Sequence, residues 1–399
     1  MKLGFNHTKR ACYIAAFSQA IVCGFMPLLF VTFQKDYGIL LYLITLLTTV
    51  NFVMQLFMDF VSLFFVDRVS YRITIVTAHL LVTVGLLMLG LLVPMVPRTF
   101  AYPVILTAVL LFSAGGGIFE VLVSPIVEAC PSNNKAAAMS LTHSMYGVGS
   151  VAVVVVTNIL LAVFGTHNWY YIAIFWAVIP LLNGIYFLFV PINKVVEENQ
   201  RIPMRKLIKR KSFLIFFLLM FCSGATEISM SQWASAFAES SLGITKALGD
   251  ILGPCIFAAM LTVSRLVYSK ISAKVNPLKY LGTCAALTVV FYVSAALIPF
   301  KFASIIACGL CGFTAGVMWP ATLSLAAEHY PTGGAAMFGL FALAGDIGCT
   351  LGPTTVGFVS SAMGGELRAG LLIACIFPIL SVIGMTLLAK RKKVIFLIN

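Results

Sequence analysis

Charge is what this chain has least of. Its 399 residues include 26 Lys and Arg but only 13 Asp and Glu, while 61% are hydrophobic. That composition excludes an ordinary soluble domain, which needs polar surface around its core. A disulfide framework is missing too. The ten Cys fall almost entirely in apolar stretches, where Cys acts as a small apolar residue. Cys308 and Cys311 form a CxxC, but without a second pair it argues against a metal or redox site. No glycine-rich loop follows a strand, so nucleotide hydrolysis is not expected. The first apolar stretch is too long and too polar for a signal peptide, and no small-residue cleavage site follows it.

What is there is a series of apolar stretches. They fall at 11–33, 43–66, 73–93, 102–129, 135–163, 168–190, 212–240, 247–269, 279–298, 302–330, 333–361 and 368–389. About 20 apolar residues span the hydrocarbon core as a helix, the open form that satisfies its own backbone hydrogen bonds in lipid. The expectation is an all-α membrane protein of twelve helices, with the lipid bilayer as its main surroundings.

The net charge of +13 invites a nucleic-acid partner, but the positions of the bases remove it. With the N-terminus inside, 21 of the 26 Lys and Arg fall in inner segments, seven of them between Lys194 and Lys211. Only Lys35, Arg98, Lys246, Lys301 and Arg368 fall outside. This is the positive-inside pattern, and it predicts a cytoplasmic (inner or plasma) membrane location with both termini in the cytoplasm.

The chain also repeats itself at an offset near 200. Gly24, Gly116, Glu128, Pro131 and Ala136 match Gly224, Gly316, Glu328, Pro331 and Ala336. The predicted organisation is a six-helix bundle over 1–190, a cytoplasmic linker over 191–211 and a second, pseudo-symmetric six-helix bundle over 212–399. This plan resembles the major facilitator superfamily, whose substrate site lies between the halves. The segment Val66-Asp67-Arg68-Val69-Ser70-Tyr71-Arg72 is similar to that family's signature between spans 2 and 3, with a partial second copy at Ser264-Arg265-Leu266. The resemblance implies a cytoplasmic latch formed by Asp67, Arg68, Arg72 and Arg265. Ordinary loop charge is the competing reading.

Four acids fall well inside spans: Asp59, Glu120, Glu227 and Asp346. No Lys or Arg does, with Arg265 placed at a boundary, so these carboxylates are expected to lack an embedded base. Membrane carboxylates without one point to proton or cation coupling, and Glu120, Glu227 and Asp346 are the candidates. Small polar residues share helical faces with them. Ser113, Gly116, Glu120 and Ser124 align on span 4, and Asn51, Gln55 and Asp59 step by four along span 2. Span 1 offers Gln19, span 5 His143 and Tyr146, and span 7 Gln232 and Trp233. Close helix packing is the competing reading for the small residues. Asp59 lies nearer the inner end, and His79 reads as a boundary residue of span 3.

Span 4 runs Gly115-Gly116-Gly117-Ile118-Phe119-Glu120, then Ser124-Pro125, and span 10 contains Gly316-Val317-Met318-Trp319-Pro320. Span 7 contains Gly224-Ala225-Thr226-Glu227 and ends its polar run at Trp233. These segments resemble the fucose–galactose–glucose:proton symporter group. The resemblance implies Glu120 as coupling acid, with Trp233 and Trp319 at the substrate and Trp319 as a stacking platform for a sugar; Gln19, Asn51, Gln55, His143, Tyr146 and Gln232 are expected to contact substrate from their polar helix faces. The acid of that group's first helix has no counterpart between Cys12 and Phe33.

The reading is therefore a secondary transporter, not an enzyme: a monomer without cofactor that carries a small neutral polar solute, a sugar first, together with protons. With no embedded base, an anionic solute is not expected. A proton-coupled exporter of cationic or lipophilic drugs is the alternative, though the Gly-Pro pattern of such exporters sits in span 11 rather than span 5. A membrane-impermeant thiol reagent should label a cysteine placed in 191–211 only from the cytoplasmic side. Labelling of that loop in intact cells would overturn the topology.

Overall fold

The structure is a computed structural model that describes residues 3–66, 68–193, 204–240, 243 and 251–398. Among the described residues there is no strand. Eleven helices among the described residues are long and apolar enough to cross a membrane. In chain order the long helices are α1 (Phe5–Leu29), α2 (Leu41–Phe65), α3 (Tyr71–Leu92), α4 (Arg98–Ala129), α5 (Lys135–Phe164), α6 (Thr166–Phe189), α7 (Lys211–Ser240), α8 (Gly253–Ile271), α9 (Pro277–Leu297), α10 (Lys301–His329), α11 (Gly334–Ala362) and α12 (Leu367–Lys390), with short helices at Phe30–Tyr37 and Met204–Ile208. The additional helix is α2, apolar over Leu46–Ser62. Among the described residues each of the twelve expected spans is helical; residues 247–250 of the eighth lie outside them.

The chain forms two compact units. One comprises Met1–Pro131, Met145–Asn199 and Gly334–Gly339; the other comprises Ser132–Ser144, Gln200–Gly333 and Leu340–Asn399. Two short pieces therefore belong to the opposite unit from the rest of their helix. They are the start of α5 and the start of α11, which stand at equivalent places in the two repeats.

In the first unit α4 is the axis, and three consecutive glycines make it so. Successive helix positions point about 100° apart, so Gly115, Gly116 and Gly117 face three different neighbours. A Cβ on Gly115 would stand 2.5 Å from the Ala78 carbonyl of α3; one on Gly116, 2.9 Å from Val22 of α1; one on Gly117, 2.8 Å from the Gln55 carbonyl of α2. Without side chains there, three helices close on α4 at once.

Helix α2 shows the patterning lipid demands. Asn51, Gln55, Asp59 and Ser62 are buried, while Phe52, Phe57, Phe60 and Phe64 are exposed. Polar groups point into the protein and apolar ones toward the hydrocarbon, the reverse of a soluble helix.

The second unit is organised around a broken helix. Pro320 has no N–H, so the carbonyl four residues back, Gly316, loses its helical donor. The break falls there: α10 divides into Lys301–Gly316 and Met318–His329. Elsewhere the Tyr292 hydroxyl of α9 donates to the Thr226 carbonyl of α7 at 2.6 Å. The Asn134 side chain caps α5 by accepting from the Ala137 amide at 2.9 Å, and Asn276 caps α9 by accepting from the Lys279 amide.

The C-terminal end of α6 is closed by a side chain. Arg72 donates from Nη1 to the carbonyls of Phe187 at 2.7 Å and Leu188 at 2.6 Å, and from Nη2 to Val190 at 2.9 Å. Those are terminal carbonyls without helical partners, and a cation also suits that end of the helix dipole. Arg72→Ala should lower the thermal midpoint in detergent, at a cost of about 1.5–3 kcal/mol, with Arg72→Lys in between. An unchanged midpoint for the Ala variant would show that water satisfies these carbonyls equally well.

Candidate functional site

In the first unit the polar residues of three helices form one hydrogen-bonded chain. Ser113 Oγ of α4 donates to Asn51 Oδ1 of α2 at 2.6 Å. Gln55 Nε2 donates to the same oxygen at 3.0 Å. Gln19 Nε2 of α1 donates to Gln55 Oε1 at 2.7 Å. Gly116 makes room for this chain, since a Cβ there would stand 2.9 Å from Gln19 Oε1. The structure thus brings Gln19, Asn51 and Gln55 together.

One helical turn further along α2 and α4 come Asp59 and Glu120. Their carboxylate oxygens lie within 4.8 Å of one another, with Asp59 buried and Glu120 partly so. The step of four from Gln55 to Asp59 and from Gly116 to Glu120 puts both acids beside the amide chain. Like charges that close repel, and one proton held between them removes the repulsion. The sequence showed both acids; their nearness depends on the rotation of α2 against α4, which Gly117 fixes.

The second unit corrects one expectation. Arg265 is not at a boundary: it is buried, with 3% of its surface exposed, six residues inside the end of α8. Its Nη2 donates to Glu227 Oε2 of α7 at 2.9 Å. Its Nε donates to the Gly316 carbonyl at 2.8 Å, and its Nη1 to the His143 carbonyl at 3.1 Å. The physical reason is the break in α10. The carbonyl that Pro320 leaves open requires a donor, and a guanidinium supplies several in one plane. Glu227 therefore has an embedded base, and the argument against an anionic solute loses its premise.

The remaining candidates are placed as follows. His143 meets Arg265 through its main chain, and the Tyr146 carbonyl accepts from Ser150 at 3.0 Å. Gln232 is exposed. Trp233 Nε1 donates to the Pro353 carbonyl at 2.9 Å. Trp319 is buried with its ring against Gly345. Asp346, the residue after Gly345, is partly buried. Of the residues expected to form the latch, Asp67 lies outside the described residues, Arg68 is exposed, and Arg72 and Arg265 make the bonds given above. His79 is not a boundary residue either: it is buried between Phe119 and Phe187. Its Nε2 meets Asn183 Nδ2 at 2.8 Å, and Gly184 leaves the room for it.

Polar networks enclosed in long helices with apolar outer faces are the build of a polytopic membrane transport protein. The model of the Major Facilitator Superfamily matches residues 12–353, and the chain belongs to that superfamily. Its fold is similar to that of the E. coli fucose:proton symporter FucP, with TM-score 0.77 and 15% identity over 94% of this chain and 97% of that one. It is also similar to the proton:xylose symporter XylE, solved with 6-bromo-6-deoxy-D-glucose, with TM-score 0.81 and 10% identity over 96% and 95%. The human organic anion transporter MFSD10 gives TM-score 0.70 and 12% identity over 95% and 99%. At such identities the likeness is one of fold. No curated protein sequence matches the chain.

Removing one member of a buried ion pair strands the other, at about 3–5 kcal/mol. Arg265→Met should therefore lower the thermal midpoint strongly, and adding Glu227→Met should recover part of the loss. A double variant no more stable than Arg265→Met alone would show that the lost carbonyl bonds, not the stranded acid, set the cost.

Proposed function

We propose that this protein is a proton-coupled symporter of a small polar solute, with a neutral sugar as the first candidate, working by alternating access as residues 1–190 rock against 212–399. The observation that carries the reading is the Asp59–Glu120 pair, two carboxylates within 4.8 Å inside membrane-spanning helices. Such a pair takes up and gives back one proton at little structural cost. It stands one turn from Gln55, whose side chain joins the Gln19 and Asn51 amides, and their donors and acceptors suit hydroxyl groups. The sugar:proton symporters of similar fold support the reading. Glu120 is the coupling acid in this scheme; Glu227, Asp346, His143, Tyr146, Gln232, Trp233 and Trp319 are secondary candidates for coupling or for solute contact. The membrane is the cytoplasmic one, with both termini inside, and the protein acts as a monomer.

A second reading is favoured by one observation. The buried Arg265 guanidinium makes a carboxylate-bearing solute admissible. Uptake into proteoliposomes of a labelled panel containing neutral hexoses, pentoses and a hexuronate, with and without an imposed pH gradient, decides between them.

Glu120→Gln should abolish accumulation against a gradient while leaving exchange of labelled for unlabelled solute intact. A variant that still concentrates solute with the pH gradient would remove Glu120 from the coupling role.

A further inference from the structure

We infer that Glu227 and Arg265 act as a switch that holds the start of α5 against α8, and that loss of the Glu227 charge releases it. The inference rests on the alternating-access reading and names a positioning residue for it, Arg265.

Three hydrogen-bonded sites join the start of α5 to α8 and the residue after it. Asn134 Nδ2 donates to Ser272 Oγ at 2.9 Å. Ser140 Oγ donates to the Arg265 carbonyl at 2.6 Å. Arg265 Nη1 donates to the His143 carbonyl at 3.1 Å. Ser140 and His143, three residues apart, share a helix face, so α5 grips Arg265 by both its main chain and its side chain. The residues of α5 that belong with the second unit end at Ser144, immediately after His143. The last hydrogen bond of the seam coincides with the point where the helix passes to the other unit.

The guanidinium is a rigid planar fork, so its three bonds are not independent. Glu227 on Nη2 and the Gly316 carbonyl on Nε fix the plane, and that plane aims Nη1 at His143. Of the three contacts the one to His143 is the longest, 3.1 Å against 2.9 and 2.8 Å. The Gly316 bond is held in place by Pro320, which leaves that carbonyl no helical donor. When Glu227 is neutral, a buried guanidinium has lost its counter-charge and turns toward more polar surroundings. The turned plane no longer aims Nη1 at His143, so the bond that reaches α5 is lost. Glu227 is also the more accessible partner, its side chain 14% exposed against 4% for Arg265. A proton or a solute therefore meets the acid before the base.

The test is the rate of cross-linking between Asn134→Cys and Ser272→Cys in membranes under mild oxidation, with single-cysteine controls for the native thiols. The intact switch should cross-link rapidly. Adding Glu227→Gln should slow the reaction roughly tenfold, the effect of losing one charge-assisted hydrogen bond. Arg265→Lys, which keeps the charge but cannot reach both carbonyls, should slow it too, while Glu366→Gln, which neutralises an exposed acid paired with Arg368, should leave it unchanged. Should Glu227→Gln fail to fold, the Glu227→Gln/Arg265→Gln pair, which buries no charge, must also cross-link slowly. Wild-type rates in Glu227→Gln and Arg265→Lys, or in the double variant, would overturn the proposal, and so would an equal slowing by Glu366→Gln. The readout uses no solute, so a failed sugar assay leaves this test standing.

Discussion

Hydrocarbon offers a polar atom no partner, and that constraint organises this molecule. Each buried donor or acceptor has to be met from within, so one irregularity creates the need for the next residue. Pro320 opens a carbonyl at Gly316. Arg265 closes it but brings a positive charge into the membrane. Glu227 balances the charge. None of the three is stable in place without the others, and together they link α7, α8 and α10, with the start of α5 gripped as well.

The two units meet the same constraint by different chemistry. The first uses neutral amides and a hydroxyl, with Ser113, Asn51, Gln55 and Gln19 passing hydrogen bonds from α4 to α1. Such a chain can exchange partners with a hydroxylated solute without moving net charge. The second uses an ion pair, which cannot be opened without exposing charge to low dielectric. Rearrangement is thus easy in one unit and conditional in the other, an asymmetry that the proposed symport would use.

Much of the architecture was legible in the sequence. Lipid imposes one helix length, so the number and order of the helices followed from counting apolar residues, and the polar stripe of α2 followed from its step of four. What escaped was any feature set by how helices rotate against each other. Asp59 read as an inner-end residue, and only the contact of Gly117 with α2 turns it toward Glu120. Arg265 was counted among loop charges because basic residues near a span end usually belong there. Six residues of helix, about 9 Å, separate it from the end of α8. The available clue was indirect: a proline four residues beyond a glycine in α10 announces an open carbonyl, and a nearby base is its natural donor. The indole of Trp233 and the ring of Trp319 gave no such clue, because an aromatic residue in a membrane helix fits packing and ligand contact equally well.

The break in α10 also bears on how this chain can change over generations. Replacing Pro320 by a residue with an N–H would restore the helical bond to Gly316 and leave Arg265 Nε without an acceptor. Replacing Arg265 first would leave the carbonyl bare. Each single step is disfavoured, while the double step is tolerated once Glu227 is neutral as well, so the two positions form an epistatic pair within a set of three. Among relatives of this chain, proline at the one site and arginine at the other should be gained and lost together, an evolutionary correlation between residues 55 positions apart that records one hydrogen bond.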